Sequence, residues 1–373
     1  MKKHFTGFLA LLTALLLAVP VFAGCGSAQV PADTAVVFEG EVIPEDVAKL
    51  YVYTTQLDVE KENEWMVMLY YGDYEKFWAA EFGDGTYAEQ GRQLGISRLI
   101  QTKTLLSYAK QKKITLEDAD EAKLVATYEK FKEDHSASIK KAGVSDELVR
   151  QFLRDNALAN KVFLSIVSSI DTSFSDEENT KNRRKSGEGI SVYAKASYKE
   201  SDEEDAKTIE VSEEDQEKAR KEAMEDIFAR MKAGEDLSDI VTDYRDNRKD
   251  LTVGNLGSIS ASPENARQED ATDYTSYSQR FWEMSSDEYA SFEITNSAEL
   301  VNGYLLHCIN DDDPELRKQA EAEMLELRKQ DTFTAFYPGL AKKHGKYHVY
   351  ETITDNIKIE EPLYGGQAQP AGN

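Results

Sequence analysis

From Pro44 to Ile170 the apolar residues recur at three- and four-residue intervals, and no part of the run alternates as a half-buried strand does. A stretch that long with one period must be a set of helices, which argues against two lobes of alternating strands and helices. Val47, Leu50, Tyr51, Thr54 and Leu57 mark the first helix, with Pro44 in its first turn. Leu94, Leu99, Ile100, Leu105, Leu106 and Ala109 mark a second. Thr115 with Asp118 reads as a capping box opening a third, which runs to about Lys141 and stops at Gly143. Ser145 caps a fourth, striped by Leu148, Phe152, Leu153, Val162, Phe163, Ile166 and Val167. Four helices apolar on one side must pack together or close over something else. Ahead of them, Ala35 to Phe38 reads as a short strand closed by a turn at Glu39-Gly40.

Between the first two helices, Trp65 to Tyr71 and Phe77-Trp78 form a segment rich in aromatic and Met side chains. It reads either as core or as an exposed cradle for unfolded polypeptide, since adaptable side chains of this kind favour promiscuous binding.

The rest of the 373-residue chain has room for a second domain at roughly 150 residues each. Asp171 to Gly189 has hardly any apolar residue and reads as a linker or long surface loop. A strand is expected at Ile190 to Tyr198, and a helix from Ser212 to Met231 ending at Gly234. A short helix at Asp236 to Tyr244 and a glycine turn at Val253 to Gly257 follow. Tyr289 to Ile294 and Leu300 to Ile309 form a hairpin. This is a small α+β unit. Glu360 to Asn373 reads as a disordered tail.

Charge and composition remove several function classes. There are 44 Lys and Arg against 69 Asp and Glu, and a net charge of −25 repels phosphate backbones, which excludes nucleic acid as a partner. Two Cys and five scattered His leave no disulfide scaffold and little for a zinc site. His344 and His348 have ligand-like spacing, but Gly345 interrupts the helix it requires, and Tyr347 to Ile353 reads as a strand. Neither a metal nor a cofactor is expected. Cys308 lies in an apolar stretch and reads as a buried small hydrophobe.

The first residues are an address. Lys2 and Lys3 precede an apolar run from Phe8 to Val19, short for a membrane span. Phe22-Ala23-Gly24-Cys25 follows and resembles the lipobox of bacterial lipoproteins. That resemblance implies lipid on Cys25 and anchoring at the extracytoplasmic face of the cell membrane. Gly26 to Asp33 reads as a tether.

Three pieces of the second domain carry a further resemblance. Phe228 to Leu237 resembles the helix junction of parvulin-type peptidyl-prolyl isomerases, Gly254-Asn255-Leu256-Gly257 resembles their glycine turn, and Gly303-Tyr304 resembles their closing strand. The first half resembles the N-terminal helical region of SurA/PrsA-type foldases, and the segment after Asp313 their returning C-terminal helix. The resemblance implies an α+β chain with a mainly helical chaperone lobe, completed by a C-terminal helix and carrying an inserted small parvulin-like domain. The expected limits are 1–24 for the signal peptide, 25–34 for the tether, 35–172 for the helical domain and 173–189 for the linker. The parvulin-like domain takes 190–311, the returning helix and strand 312–358, and the tail 359–373. Unfolded or secreted polypeptides are the implied partners.

The resemblance also implies where catalytic groups should sit, and they are missing. The two family His positions fall on Ala196 and Leu305, and the Cys or Asp position on Asn247, beside Asp246. His307 shares a strand face with Leu305 and is a candidate substitute. Leu256, Tyr277 and Trp282 are candidates for a proline pocket. Weak or absent isomerase activity is therefore expected. An active isomerase in which His307, Asp246 and Tyr277 converge, and a solute-binding lipoprotein, are the alternatives.

Overall fold

The computed structural model describes residues 30–201, 206–264, 273–296 and 300–364. Cys25, the signal segment and the tail beyond 364 lie outside these residues. The chain divides into two units, Met1–Ile170 with Arg328–Asn373, and Asp171–Leu327, so the second is inserted into the first and the fold is α+β.

The first unit opens with β1 (Thr34–Phe38) and β2 (Glu41–Pro44), joined at Glu39-Gly40, both with positive φ. Helix α1 (Glu45–Glu62) follows, and every residue from Leu50 to Asp58 is buried. The aromatic segment forms two short helices, α2 (Glu64–Tyr70) and α3 (Tyr74–Ala79). A small hairpin, β3 (Glu81–Phe82) and β4 (Gly85–Thr86), leads to α4 (Tyr87–Lys112). Thr86 and Glu89 make a reciprocal capping box there, which fixes where α4 starts.

The expected third helix differs in two respects. It starts at Asp118, with Glu117 and not Thr115 at the cap and Asp120 bonding back to the Glu117 amide. It also breaks at His135 into α5 (Asp118–Asp134) and α6 (Ser136–Ala142). The buried His135 ring stacks on Phe131, and past the break Ser138 Oγ donates to the Tyr53 carbonyl at 2.9 Å. Gly143 closes α6 with φ of +68°, and Ser145 caps α7 (Asp146–Ile166).

The core of this unit gathers Val36, Leu50, Val52, Phe77, Trp78, Leu99, Phe131 and Leu153 from distant parts of the chain. Gly95 permits the closest approach: a Cβ there would lie 2.6 Å from Val52 Cα.

The second unit begins earlier than expected. The span read as a linker at 173–189 contains α8 (Asp176–Asn182), opened by a Ser175–Glu178 capping box, and the start of β5 (Lys185–Ala194). Ser186 and Glu188 are polar but pair in the sheet, which hid the strand from a reading of hydrophobicity. Next come β6 (Ser197–Lys199), β7 (Thr208–Glu210), α9 (Glu213–Lys232), α10 (Leu237–Asn247) and β8 (Leu251–Ala261). Helix α11 (Asp273–Glu283), β9 (Tyr289–Thr295) and β10 (Val301–Asn310) complete it. The antiparallel sheet has the order β8-β5-β10-β9. The expected glycine turn at Val253 to Gly257 is the middle of β8. Gly257, with φ of +67°, accompanies a register shift opposite Gly189 and Ile190.

Helix α12 (Pro314–His344) starts in the second unit and ends in the first, where Phe333, Tyr337 and Leu340 pack with Leu105, Ala109, Val162 and Phe163. Then β11 (Tyr347–Val349) pairs with β1, Val36 opposite Val349. The expected strand to Ile353 stops there, because the chain turns into a helix opposite the first residues of β1. The Tyr350 amide bonds the Ala35 carbonyl and helix α13 (Glu351–Thr354) begins. The segment expected to open a disordered tail is packed as far as Tyr364, with Ile357 and Ile359 buried in the core.

Two predictions follow from this core. Gly95→Ala would gain helix propensity of ~1 kcal/mol at an open site, but here backbone blocks the new methyl. We expect a net loss of about 1–3 kcal/mol in denaturant unfolding, and a neutral or stabilising result would show that the helices are not in contact.

The second concerns Asp58, Arg98 and His135. Arg98 Nη1 lies 3.2 Å from Asp58 Oδ2 and His135 Nε2 4.0 Å from Asp58 Oδ1. Burial holds His135 down at about 4, and pushes Asp58 up to about 6 despite the guanidinium. A depressed imidazole adds stability that is present above pH 6.5 and lost as pH falls towards 4. The raised carboxyl acts the other way, losing its contribution as pH rises from 3.8 through 6. His135→Gln keeps a polar side chain beside Asp58, so the difference between the unaltered protein and the variant reads chiefly the imidazole. The unaltered protein should lose about 3 kcal/mol relative to the variant between pH 6.5 and 4. Parallel pH profiles would mean that the native ring is solvated.

Candidate functional site

Strand alternation decides what the inserted sheet can offer. On one face, Ile190 and Val192 of β5, Leu251 of β8 and Leu305 of β10 pack under α9 and α10 with Met224, Ile227 and Ile240. On the other, Ile259, Tyr304, Leu306 and Cys308 pack with Tyr277, Phe281 and Met284. Burial pushes the Cys308 thiol up, away from the reactive thiolate.

The expected catalytic positions do not meet. Leu305 is fully buried under α9 and α10. Ala196 is exposed between β5 and β6, its carbonyl accepting from the Val211 amide. Asn247 is exposed at the end of α10 and donates to Asp243 Oδ1 at 2.7 Å, while Asp246 pairs with Arg245. His307 does share the face of Leu305. Its ring lies flat on Tyr289, with centroids 4.0 Å apart and planes 5° apart, and its Nδ1 is 3.1 Å from Glu188 Oε1. The imidazole is thus partnered at one nitrogen and covered on one side.

The three proline-pocket candidates do belong together. Leu256 and Trp282 pack on the cluster that holds Tyr277. Tyr277 stacks on Tyr304 at 5.3 Å, and Phe292 stacks on Tyr304 at 5.9 Å. This apolar face is opposite that of Leu305 and His307. A convergence of His307, Asp246 and Tyr277 is therefore not what the fold provides. A cavity of about 300 Å³ opens near the β6–β7 hairpin, lined by Tyr198, Ile209, Val211, Ala219 and Glu222 among others, and none of the expected site residues lines it.

The first unit presents a different chemistry. Val67, Tyr74, Phe77 and Trp78 are buried, whereas Trp65, Leu69 and Tyr70 are 69%, 66% and 70% exposed, with Met68 and Phe82 also outside. The aromatic segment is therefore both core and surface. Tyr71, Phe77, Phe82 and Tyr87 form a chain of ring contacts. Five large apolar side chains thus lie at the surface within 18 residues, and such side chains mark contact surfaces where they are contiguous. Periodicity alone could not separate the two sets, because helices this short turn fewer than twice.

Among the described residues no three His, Cys, Asp or Glu gather as a metal site, and no helix is long and apolar enough to cross a membrane.

In outline the chain is similar to solved foldase and chaperone structures. Foldase protein PrsA from Lactococcus lactis shares 10% identity at a TM-score of 0.30, over 87% of this chain and 98% of that one. PrsA from Streptococcus pneumoniae shares 11% at 0.29, over 72% and 87%. A SurA-like chaperone of Campylobacter jejuni shares 13% at 0.29, over 85% and 98%. Likeness at this level says nothing of activity. No family model matches the chain, and no curated protein does.

The fate of Leu305 is testable. Leu305→His restores the residue type of the resembled family at that position. In an apolar, fully buried setting it should cost at least about 2 kcal/mol of stability, from lost packing and an unpaired polar ring. It should add no rate in a proline-limited refolding assay. A gain in rate without destabilisation would show that the position faces substrate.

Proposed function

We propose that this chain is an extracytoplasmic chaperone of the foldase type, held at the outer face of the cell membrane by lipid on Cys25, which binds unfolded secreted polypeptides. The observation that carries the reading is the exposed row at Trp65, Met68, Leu69 and Tyr70, in a segment whose Val67, Tyr74, Phe77 and Trp78 are buried. Such a row contacts unfolded chain through area and not through a fixed sequence. Burial of large apolar side chains contributes ~25 cal/mol per Å² without direction, and Met adapts its shape to each client. The lipobox-like Phe22 to Cys25 supports the location. A net charge of −25 keeps a chain with exposed aromatics soluble.

The inserted domain, in this reading, adds client contact and little catalysis. Rotation about an X-Pro bond faces a barrier of ~18–20 kcal/mol. A catalyst must favour the twisted amide over both planar forms. Tyr277 and Tyr304 are buried in the domain's own core, and the polar groups that would respond to the amide nitrogen lie elsewhere.

Trp65→Ser combined with Leu69→Ser tests the reading on the soluble form starting at Gly26. Both sites are exposed, so unfolding stability should stay within about 0.5 kcal/mol per site. Suppression of aggregation of an unfolded secreted protein should fall several-fold. Undiminished suppression would remove the exposed row from client binding. In the same preparation, clear acceleration of a proline-limited refolding step would instead favour the active isomerase.

A further inference from the structure

Glu60 is fully buried on α1, and its carboxylate is used to hold main chain. Oε2 accepts from the Leu363 amide at 2.7 Å and from the Tyr364 amide at 2.6 Å. Oε1 accepts from Gln56 Nε2 and from Trp78 Nε1, both at 2.8 Å. Gln56 Nε2 also donates to the Glu361 carbonyl at 2.7 Å, and Lys141 Nζ reaches the same oxygen at 3.3 Å. Three side chains from α1 and α6, Gln56, Glu60 and Lys141, thus bind one carbonyl and two successive amides of a short segment that is neither helix nor strand, and Trp78 from α3 holds the carboxylate in place.

These polar contacts read backbone. The nearby side chains of that segment are held less closely: Leu363 and Tyr364 are only partly buried, and Tyr364 meets Tyr74 edge-on at 6.4 Å. The firm anchors, Ile357 and Ile359, lie upstream. Pro362 lies where no amide is required, between the bonded carbonyl and the bonded amides. A backbone-reading cradle built on a buried carboxylate suits any extended chain that can supply two adjacent N–H groups, and it rejects proline at those two positions alone.

We propose that Gln56, Glu60, Trp78 and Lys141 form a binding site for extended polypeptide, and that Glu361 to Tyr364 is its resident intramolecular occupant, displaced by a foreign segment with two consecutive free amides. Tethering gives the resident segment an effective concentration of about millimolar, so it acts as a threshold that weak ligands do not cross. The inference rests on unfolded polypeptide being the ligand class, but its site is separate from the exposed row at Trp65 to Tyr70.

The test uses the full soluble chain with Leu363→Pro and Tyr364→Pro, which removes both resident amides. The probe is a fluorescent peptide of sequence Ile-Glu-Glu-Pro-Leu-Tyr-Gly-Gly, followed by anisotropy. The variant should bind it at least about tenfold more tightly than the unaltered chain. A probe with proline in place of Leu and Tyr should lose that gain. Equal binding by the folded variant and the unaltered chain, or equal binding of the two probes, overturns the proposal. Should the variant not fold, amide exchange in the unaltered chain decides. At several-millimolar probe, on the scale of the tether's effective concentration, the Leu363 and Tyr364 amides should lose protection. Unchanged protection overturns the proposal. Probe binding without aggregation suppression would refute only the chaperone role, and suppression without probe binding would refute only this site.

Discussion

The middle of helix α1, from Leu50 to Asp58, is enclosed on every side, and the first unit is organised around that enclosure. A helix with nine consecutive buried residues, Leu50 to Asp58, has no solvent face on which to leave its polar groups. Each must be answered from within. Thr54 Oγ1 donates to the Leu50 carbonyl, Asp58 takes Arg98, and Gln56 and Glu60 take the C-terminal segment. Breaking a buried charged pair by removing one partner costs several kcal/mol, about 3–5 where measured. The partners of α1 therefore constrain where α4, α6 and residues 360–364 can lie. The absent Cβ of Gly95 supplies the remaining condition, since α4 could not otherwise approach Val52 so closely.

Much of this architecture was legible from the residues. The β1 strand, the Glu39-Gly40 turn, the Gly143 stop, the Ser145 and Ser212 caps and the β9–β10 hairpin all follow from local chemistry that needs no tertiary partner. What was not legible depends on contacts far apart in the chain. The break at His135 has no helix-breaking residue at it; what accompanies it is contact with α1, where His135 lies beside Asp58 and Ser138 bonds the Tyr53 carbonyl. The first half of β5 is polar by composition and becomes strand because β8 and β10 flank it. Residues 360–364 look like a tail because Glu360, Glu361 and Pro362 open them and no apolar period follows, yet their order comes from Glu60, some 300 positions earlier. The Thr86–Glu89 box was visible as a T-x-x-E pattern and would have placed the start of α4.

The candidate site shows the same division. Strand period alone puts His307 on the face of Leu305 and puts Tyr304 and Leu306 on the other. It cannot say which face α11 covers. With α11 beside Tyr304 and the α9–α10 pair over Leu305, aromatic and titratable candidates are parted by the thickness of one sheet. A catalytic reading needs them on one side. A binding reading does not, because apolar contact sums over area and asks for no convergence.

The order in which the chain emerges gives the insertion a temporal meaning. Residues 171–327 form a unit whose partners are all contiguous, so it has everything it needs once its last strand and the start of α12 are out. The first unit has no such independence. The seam of Leu105, Ala109, Val162 and Phe163 waits for Phe333 and Leu340, and β1 lacks its neighbour until Tyr347 to Val349 arrive. The first unit therefore carries an open apolar seam until Phe333 to Val349 have been made. During that interval the first unit is incomplete, and Phe333 to Val349 are what end that condition.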